Sequence, residues 1–199
     1  MLVVTRLYIV RHGETEWSRS GQHTSVTDLP LTERGEQQAK ALVGHLDPDD
    51  FQLVLSSPRR RALHTAELAG FTGEHEPEVT EDLAEWFYGD YEGRTSPDIN
   101  STDADWTIWT HTTPGGETPQ QVRTRIDRVI ERVRSSGVER AVCFAHGHSL
   151  RALTVRWLQL DLTLGARFPL DTGTVSVLGE AKGVPALERW NAGFTQVQS

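Results

Sequence analysis

The sequence is poor in the features that mark a disulfide framework or a membrane span. Cys143 is the only cysteine among 199 residues, so it can form no internal disulfide, which suits a reducing compartment. The apolar start at residues 2–10 lacks a basic flank before it and a small-residue cleavage site after it, and no run is long enough to cross a bilayer. We therefore expect a cytoplasmic protein with no membrane partner.

A surplus of positive charge is also missing. Lys and Arg number 20 against 28 Asp and Glu, which gives a net charge of −8. This balance opposes general attraction to nucleic acid or to an anionic membrane, so we expect neither as a partner. A phosphate-binding site must then be built locally, from arginines in short motifs. Residues 1–199 fit one domain, and a homo-oligomer is left open.

Four apolar runs with little strict alternation predict strands that are covered on both faces. They span residues 2–10, 51–55, 141–145 and 174–178. Helical patterns lie between them, and this order predicts an α/β fold, a three-layer α/β/α sandwich around a mostly parallel sheet. In such folds the functional groups lie beyond the carboxyl ends of the strands. The stretch 72–114 breaks the alternation and predicts an excursion over the active face.

Caps and apolar stripes predict four helices. Thr32, Ser57-Pro58 and Thr118-Pro119 resemble helix starts, and a fourth helix is expected near Ser149. The side chains that these helices are expected to bury are Ala39, Leu42, Val43, Leu46, Ala62, Leu63, Ala66, Ala69, Val122, Ile126, Val129, Ile130, Val133, Leu150, Leu153, Trp157 and Leu160.

The first motif with chemical potential is Arg11-His12-Gly13, at the expected end of the first strand. A histidine there is exposed at the reactive edge of the sheet, the adjacent arginine can bind a phosphate oxygen, and glycine allows a close backbone approach. On these residues alone, an ordinary strand-to-loop turn with a surface histidine is an equally good interpretation.

The second motif places Arg59, Arg60 and Arg61 in the expected first turn of a helix. Cations there oppose the positive end of the helix dipole, and an anion held jointly by the helix and a guanidinium would offset that cost. We select Arg61 because it precedes the apolar pair Ala62-Leu63, whereas Arg59 and Arg60 are expected to be solvated or paired with acids. A charged surface cluster is the alternative.

The third motif, His146-Gly147-His148, again ends a strand in His-Gly ahead of a helix. Two such strand ends allow one imidazole to attack phosphorus in line while the other donates hydrogen bonds to the oxygens that gain charge. Zinc binding by His146 and His148 is a competing interpretation, which neighbouring cations and the lack of a clear third ligand disfavour. We expect no metal and no cofactor.

Together these motifs resemble the histidine phosphatase superfamily in its phosphoglycerate-mutase-like branch. The resemblance runs from about Leu7 to Leu158 and is specific because separate motifs occur in the family's order. It implies a phosphoglycerate-mutase-like fold, with His12 as the phosphorylated nucleophile and Glu85 as the proton donor. The residues that it implies around the phosphoryl group are Arg11, Arg61 and His146, with Ser18, Thr24, Gly147 and His148 in the pocket.

Other positions must separate hydrolysis from isomerisation. Mutases of this branch typically have an asparagine in place of Ser18 and a longer chain. This chain also carries the motifs Gly21-Gln22-His23-Thr24, Thr27-Asp28-Leu29-Pro30-Leu31-Thr32 and Tyr88-Gly89-Asp90-Tyr91-Glu92-Gly93. With them it resembles the subgroup of fungal sedoheptulose-1,7-bisphosphatase and related bacterial acid phosphatases. We therefore expect a phosphomonoesterase acting on a small phosphorylated metabolite such as a sugar phosphate. The alternatives are a cofactor-dependent phosphoglycerate mutase and a catalytically silent protein that binds phosphorylated ligands.

Two features of the pocket stay open at this level. His148 either shapes the pocket for the substrate or begins a helix and faces solvent. The aromatic residues of the excursion either line the mouth of the site or form the core of the excursion itself. They are Trp86, Phe87, Tyr88, Trp106 and Trp109.

Overall fold

A computed structural model describes residues 5–194 and contains a six-stranded sheet. Its strands are β1 Arg6–Arg11, β2 Leu53–Ser56, β3 Glu78–Val79, β4 Arg140–Ala145, β5 Val175–Ala181 and β6 Val184–Ala192. The helices are α1 Glu16–Ser20, α2 Glu33–Lys40, α3 Arg60–Leu68, α4 Ser96–Asn100, α5 Pro119–Ser135 and α6 Gly147–Trp157. Short 3₁₀ segments cover Pro48–Asp50, Gly73–His75, Glu81–Leu83, Gly89–Tyr91 and Leu162–Arg167.

The central strands bring the strand-end motifs side by side. In the order β3-β2-β4-β1-β5-β6, β4 lies between β2 and β1, and these three strands run parallel. Arg11 pairs in register with Ala145, and Ser56 pairs with Phe144. The backbone N–H of His12 donates to the carbonyl of Ala145 at 3.0 Å. The two His-Gly strand ends therefore meet at one edge of the sheet, while β5 and β6 complete it as antiparallel strands.

Alternate residues of β1 belong to two separate apolar cores. Leu7 and Ile9 lie in the core that α5 and α6 cover. Val10 lies in the core on the opposite face, which α3 covers together with the turn after α2. Helices therefore pack on both faces of the sheet, which confirms the predicted α/β/α sandwich. The expectation of a single domain stays a prediction.

The predicted burial of Val43 and Leu160 is wrong. Val43 is 59% exposed and Leu160 is 36% exposed, because α2 and α6 end before these residues and the helical periodicity no longer applies to them. Leu63 is half-buried. The helix expected near Ser149 begins earlier, at Gly147.

Ser57 was the wrong choice as a helix cap. The helix α3 begins at Arg60, and its N-cap residue Arg59 makes no side-chain capping bond. The Oγ of Ser57 accepts from the backbone N–H of Arg59 at 3.3 Å, ahead of the helix, and lies 2.7 Å from Nε2 of His146. A serine that looks like a local cap is thus used for a contact with a distant strand end.

The edge strands carry little sequence signal. β3 has two residues, and β6 is a partly exposed strand with Pro185 near its start, so neither shows the continuous apolar run of a central strand. The predicted strand at 51–55 lies at Leu53–Ser56, and the one at 174–178 extends to Ala181. Residues 2–4 of the predicted first strand lie outside the described residues.

The stretch 72–114 consists of short 3₁₀ segments with β3 and α4. Its three tryptophans, Trp86, Trp106 and Trp109, are 5% exposed or less and belong to the apolar core that α5 and α6 cover, so they do not line the mouth of the site. Phe87 is 36% exposed, whereas Tyr88 is buried and borders the cavity described below. No helix within residues 5–194 is both long and apolar enough to span a membrane.

Candidate active site

A cavity of about 160 Å³ opens at the carboxyl ends of β1 and β4. The predicted site residues that line it are Arg11, His12, Ser18, Thr24, Glu85, Gly147 and His148. Arg61 and His146 are fully buried, contact each other and are not among the described residues that border the cavity. The other lining residues are Thr15, Gly21, Gln22, His23, Tyr88, Arg151 and Leu170.

His12 presents a neutral imidazole nitrogen to the cavity. Its Nδ1 lies 2.7 Å from the carbonyl oxygen of Gly13, and because a carbonyl only accepts, Nδ1 carries the proton. The Nε2 atom is then left with its lone pair. Burial lowers the pKa of His12 well below its ordinary value, and the positive charges of Arg61 and Arg11 lower it further. The arrangement favours a nucleophilic ring over a protonated one.

Arg11 is held against the start of α6. Its Nη1 donates to the carbonyl of Leu170, and its Cζ lies close to Gly147, 3.4 Å from where a Cβ would stand. The Nε atom is buried and has no hydrogen-bond partner within the described part of the chain. Arg11 therefore keeps an unused donor beside the cavity, of the kind that an anionic oxygen accepts from.

Arg61 and His146 form a buried pair behind the cavity. Nε of Arg61 donates to Nδ1 of His146 at 3.1 Å, and the rings of His146 and His12 are 5.2 Å apart between centroids. Burial and the charge of Arg61 lower the pKa of His146 well below its ordinary value. The neutral ring then carries its proton on Nε2, and Nε2–H donates a hydrogen bond to the hydroxyl oxygen of Ser57.

The loop at residues 24–27 holds Arg61 in place. The Arg61 guanidinium donates to the carbonyls of Thr24 and Thr27 at 3.1 Å and of Ser25 at 3.2 Å. On the other side of the loop, the carboxylate of Glu92 accepts from the backbone N–H groups of Ser25 and Thr27, at 2.9 and 3.0 Å. The peptide dipoles thus point from an anion to a cation, which favours this loop conformation.

Glu85 lies at the N-terminus of α6. Its Oε1 accepts from the backbone N–H groups of Trp86 and Ser149, each at 2.8 Å, and its Oε2 accepts from that of His148 at 3.0 Å. Backbone donors at a helix N-terminus favour an anionic group there. Because Glu85 borders the cavity with one donor on Oε2, that oxygen is the place where a proton can pass to a bound ligand.

Ser18 and Thr24 place small hydroxyl groups on the cavity wall. Ser18 completes a capping box with Thr15: its Oγ accepts from the Thr15 N–H at 2.8 Å. The hydroxyl of Thr24 donates to the carbonyl of Gln22 at 3.2 Å. These residues help to shape the wall, and a direct role in phosphate binding stays a prediction.

The two remaining arginines of the second motif behave as expected. Arg59 lies 3.8 Å from the carboxylate of Glu81, and Arg60 is exposed to solvent. Within residues 5–194, no group of three or more His, Cys, Asp and Glu side chains is arranged to hold a metal ion. The zinc interpretation of His146 and His148 thus gains no third ligand in this part of the chain.

Sequence reasoning did not select several residues of the site. Ser57 was assigned to a helix cap, and Glu92 was given no role of its own. Arg151 follows Gly147 by four residues, so both lie on one face of α6, and this spacing could have identified it. His23 stands in the motif beside Thr24 but was given no role, because its place in the cavity wall depends on its contact with the distant Tyr88.

Known proteins resemble this chain over most of its length. The family described as histidine phosphatase superfamily (branch 1) matches residues 7–193. An acid phosphatase of Mycobacterium tuberculosis is 45% identical, over 92% of this chain and 90% of its own length. Sedoheptulose 1,7-bisphosphatase of Saccharomyces cerevisiae is 39% identical, over 79% of this chain and 69% of its own length. A solved structure of an open reading frame of M. tuberculosis has a TM-score of 0.90 at 40% identity, covering 95% of this chain and 98% of that one.

Proposed function

The chain belongs to the histidine phosphatase superfamily, branch 1, and we propose that it hydrolyses the phosphomonoester of a small metabolite, a sugar phosphate, through a phosphohistidine at His12. Phosphatase activity follows from the family and from relatives that are named phosphatases. The choice of a sugar phosphate as the substrate is supported by the yeast relative, which is named for a sugar bisphosphate.

The observation that carries the proposal is the tautomer of His12. Its Nδ1–H is bound to the Gly13 carbonyl, so the Nε2 lone pair is free to attack phosphorus in line. In the proposed first step the N–P bond forms, the bond from phosphorus to the leaving oxygen breaks, and Glu85 gives its proton to that oxygen. The proton for this step comes from Oε2 of Glu85, the carboxyl oxygen that accepts from one backbone N–H and borders the cavity.

The second proposed step returns the site to its starting state. A water molecule attacks phosphorus, the N–P bond breaks, and Glu85 takes the proton that the water loses. Arg11 supplies its unused Nε–H to the phosphoryl oxygens, and the charge of Arg61 acts from behind His12. His146 accepts a hydrogen bond from Nε of Arg61 and so holds that positive charge in position.

Phosphate release tests this proposal directly. The wild type and His12→Ala are compared on sedoheptulose and fructose bisphosphates, sugar monophosphates, 3-phosphoglycerate and an aryl phosphate. We expect His12→Ala to lose turnover by about a thousandfold or more, since removal of a nucleophile usually has effects of that size. His64→Ala, on α3 and away from the cavity lining, is the matched control and should retain turnover.

Two other results would overturn the proposal. Interconversion of 3- and 2-phosphoglycerate that needs a bisphosphoglycerate primer, without phosphate release, would identify a mutase. Binding of phosphorylated ligands without turnover, equally strong in the wild type and in His12→Ala, would identify a binding protein.

A further inference from the structure

A buried arginine on α5 binds the loop that carries Glu85. Nη1 of Arg125 donates to the backbone carbonyl of Ala84 at 2.8 Å and to that of Asp82 at 2.9 Å. Arg125 is 7% exposed, and it lies 41 residues beyond Ala84 in the chain. The backbone just before Glu85 is therefore held from the side of α5.

The same guanidinium forms a bidentate ion pair with Glu117. Nε of Arg125 donates to Oε1 of Glu117 at 2.8 Å, and Nη2 donates to Oε2 at 3.0 Å. Charge-assisted bonds in this fork geometry are strong and directional. Glu117 directly precedes Thr118, the N-cap residue of α5. We call Arg125 and Glu117 the clamp.

Glu117 binds the loop on the other side of Glu85. Its Oε2 accepts from the backbone N–H of Phe87 at 2.9 Å, and its own backbone N–H donates to the Phe87 carbonyl at 2.9 Å. Its backbone carbonyl accepts from Nε1 of Trp86 at 3.0 Å. The clamp therefore holds the chain both before and after Glu85.

The segment that carries Glu117 passes very close to the end of this loop. A Cβ on Gly116 would lie 2.4 Å from the carbonyl oxygen of Phe87, and a Cβ on Gly89 would lie 2.2 Å from that of Pro114. Only glycine allows two backbones to approach so closely. This packing sets the position of Glu117 relative to Phe87.

The outer side of the loop borders a second cavity, of about 350 Å³. Ala84, Glu85 and Phe87 of the loop line this cavity together with both clamp residues, Glu117 and Arg125. Because there is open space on this side, apolar packing alone does not fix the loop here. The ion pair and the hydrogen bonds of the clamp supply that restraint.

The position of Glu85 matters because a proton donor must lie within hydrogen-bond reach of the oxygen that leaves. A misplacement of about 1 Å in a catalytic group can cost on the order of 100-fold in rate. Neither Arg125 nor Glu117 is among the described residues that line the cavity at His12. Any effect of the clamp on the reaction must therefore pass through the loop that it holds.

We propose that Arg125 and Glu117 are positioning residues, which hold Glu85 in place for proton transfer to the leaving group. This inference rests on the proposed function, in which Glu85 is the proton donor. The clamp acts through the backbone of residues 82–87 and does not contact the phosphoryl group. Its loss should therefore weaken acid catalysis and leave the attack by His12 intact.

The test compares Arg125→Lys with the wild type on two esters. Lysine keeps the charge and loses the fork that binds Glu117 and two carbonyls together. The alkoxide of a hexose 6-phosphate needs a proton as it leaves, whereas the aryl oxide of p-nitrophenyl phosphate leaves more easily without one. We expect the ratio of kcat on the hexose phosphate to kcat on the aryl phosphate to fall about tenfold. General damage to the site would lower both values equally.

A double-mutant cycle with Glu85→Gln shows whether the clamp acts through Glu85. A glutamine has no proton to give, so its exact position no longer affects protonation of the leaving group. In the Glu85→Gln background we expect Arg125→Lys to change the ratio by less than about twofold, since the effects of coupled residues are not additive.

Two further variants complete the experiment. Arg125→Met combined with Glu117→Gln removes both charges together, so that neither is left buried without its partner. It should lower the same ratio, and it keeps the inference testable if Arg125→Lys does not fold. Arg156→Lys is the matched control, because Arg156 forms a bidentate pair with Asp127, at 2.8 and 3.2 Å, that does not involve the loop of Glu85. Its ratio should equal that of the wild type.

The outcomes separate this inference from the proposed function. A wild-type ratio in both clamp variants overturns the inference, and so does an equal loss on both esters. An undiminished fall of the ratio in the Glu85→Gln background also overturns it, because the clamp would then act through another residue. All three results leave the phosphatase proposal intact. A wild type that releases phosphate from neither of these esters nor from the wider substrate panel overturns both.

Discussion

Nε of Arg61 lies 3.1 Å from Nδ1 of His146, and this bond fixes the roles of both side chains. The guanidinium only donates, so His146 accepts on Nδ1 and carries its proton on Nε2. Arg61 in turn places a fixed positive charge behind His12, whose pKa it lowers. The end of β4, which is followed by His146, and the first turn of α3, which contains Arg61, therefore act as one unit.

Replacement of Arg61 by lysine tests this unit while the charge is kept. A lysine ammonium cannot reach His146 and the carbonyls of Thr24, Ser25 and Thr27 together, because these acceptors need the fork of a guanidinium. We expect kcat/KM to fall about 100-fold and the free energy of unfolding to fall by about 1–3 kcal/mol. Steady-state kinetics and urea unfolding measure the two effects. Arg60→Lys, at the exposed neighbouring residue, is the control. Wild-type kinetics in Arg61→Lys would show that the contacts of the Arg61 guanidinium are not needed for activity.

Glu85→Gln tests the proposed proton donor through the leaving group. An alkoxide needs a proton as it departs, whereas an aryl oxide leaves more easily without one. We therefore expect kcat on a sugar phosphate to fall by about 100-fold or more, and kcat on an aryl phosphate to fall less. Glu81→Gln is the control, since the Glu81 side chain is 74% exposed. Equal losses on both substrates would argue against acid catalysis by Glu85.

The pKa of His12 predicts how the site responds to acid. Because this pKa is lowered well below 6.5 by burial and by two arginine charges, His12 stays neutral as the pH falls through 6.5 and becomes protonated only well below that value. The acid limb of kcat/KM should therefore show no loss near pH 6.5 from this residue. Titration of the His12 ring by ¹⁵N NMR measures the pKa of His12 in the folded protein. The reference is the same residue in the urea-unfolded chain, where a pKa of about 6.5 is expected. A folded-state midpoint near 6.5 would contradict the expectation.

Gly13 is required by backbone packing beside His12, the proposed nucleophile. A Cβ on Gly13 would lie 2.2 Å from the carbonyl oxygen of Gly35, closer than any real contact. We expect Gly13→Ala to lower the free energy of unfolding by about 1–3 kcal/mol because the backbone must shift. Gly193→Ala is the matched control, since its nearest neighbour would be 4.0 Å away. Equal urea midpoints for the two variants would show that the backbone at Gly13 moves at little cost.

Local features of the sequence predicted much of the fold. Thr32 and Thr118 cap α2 and α5 as expected, because each side chain reaches a backbone N–H only three residues ahead. The predicted burial of Val43 and Leu160 is wrong because a local pattern does not show where a helix ends. Their apolar character continues a helical pattern, but the chain leaves the helix before reaching them.

The residues alone place His12 and His146 at the same edge of the sheet, since each ends a predicted strand of a mostly parallel sheet. That the two ends meet depends on β1 and β4 being neighbours, which is a property of the folded sheet. The position of Glu85 at the start of α6 and the contact of the Tyr88 hydroxyl with His148 follow from tertiary packing alone. These contacts join segments about 60 residues apart. Their geometry depends on how the excursion packs over the sheet, and no local pattern of residues encodes that packing.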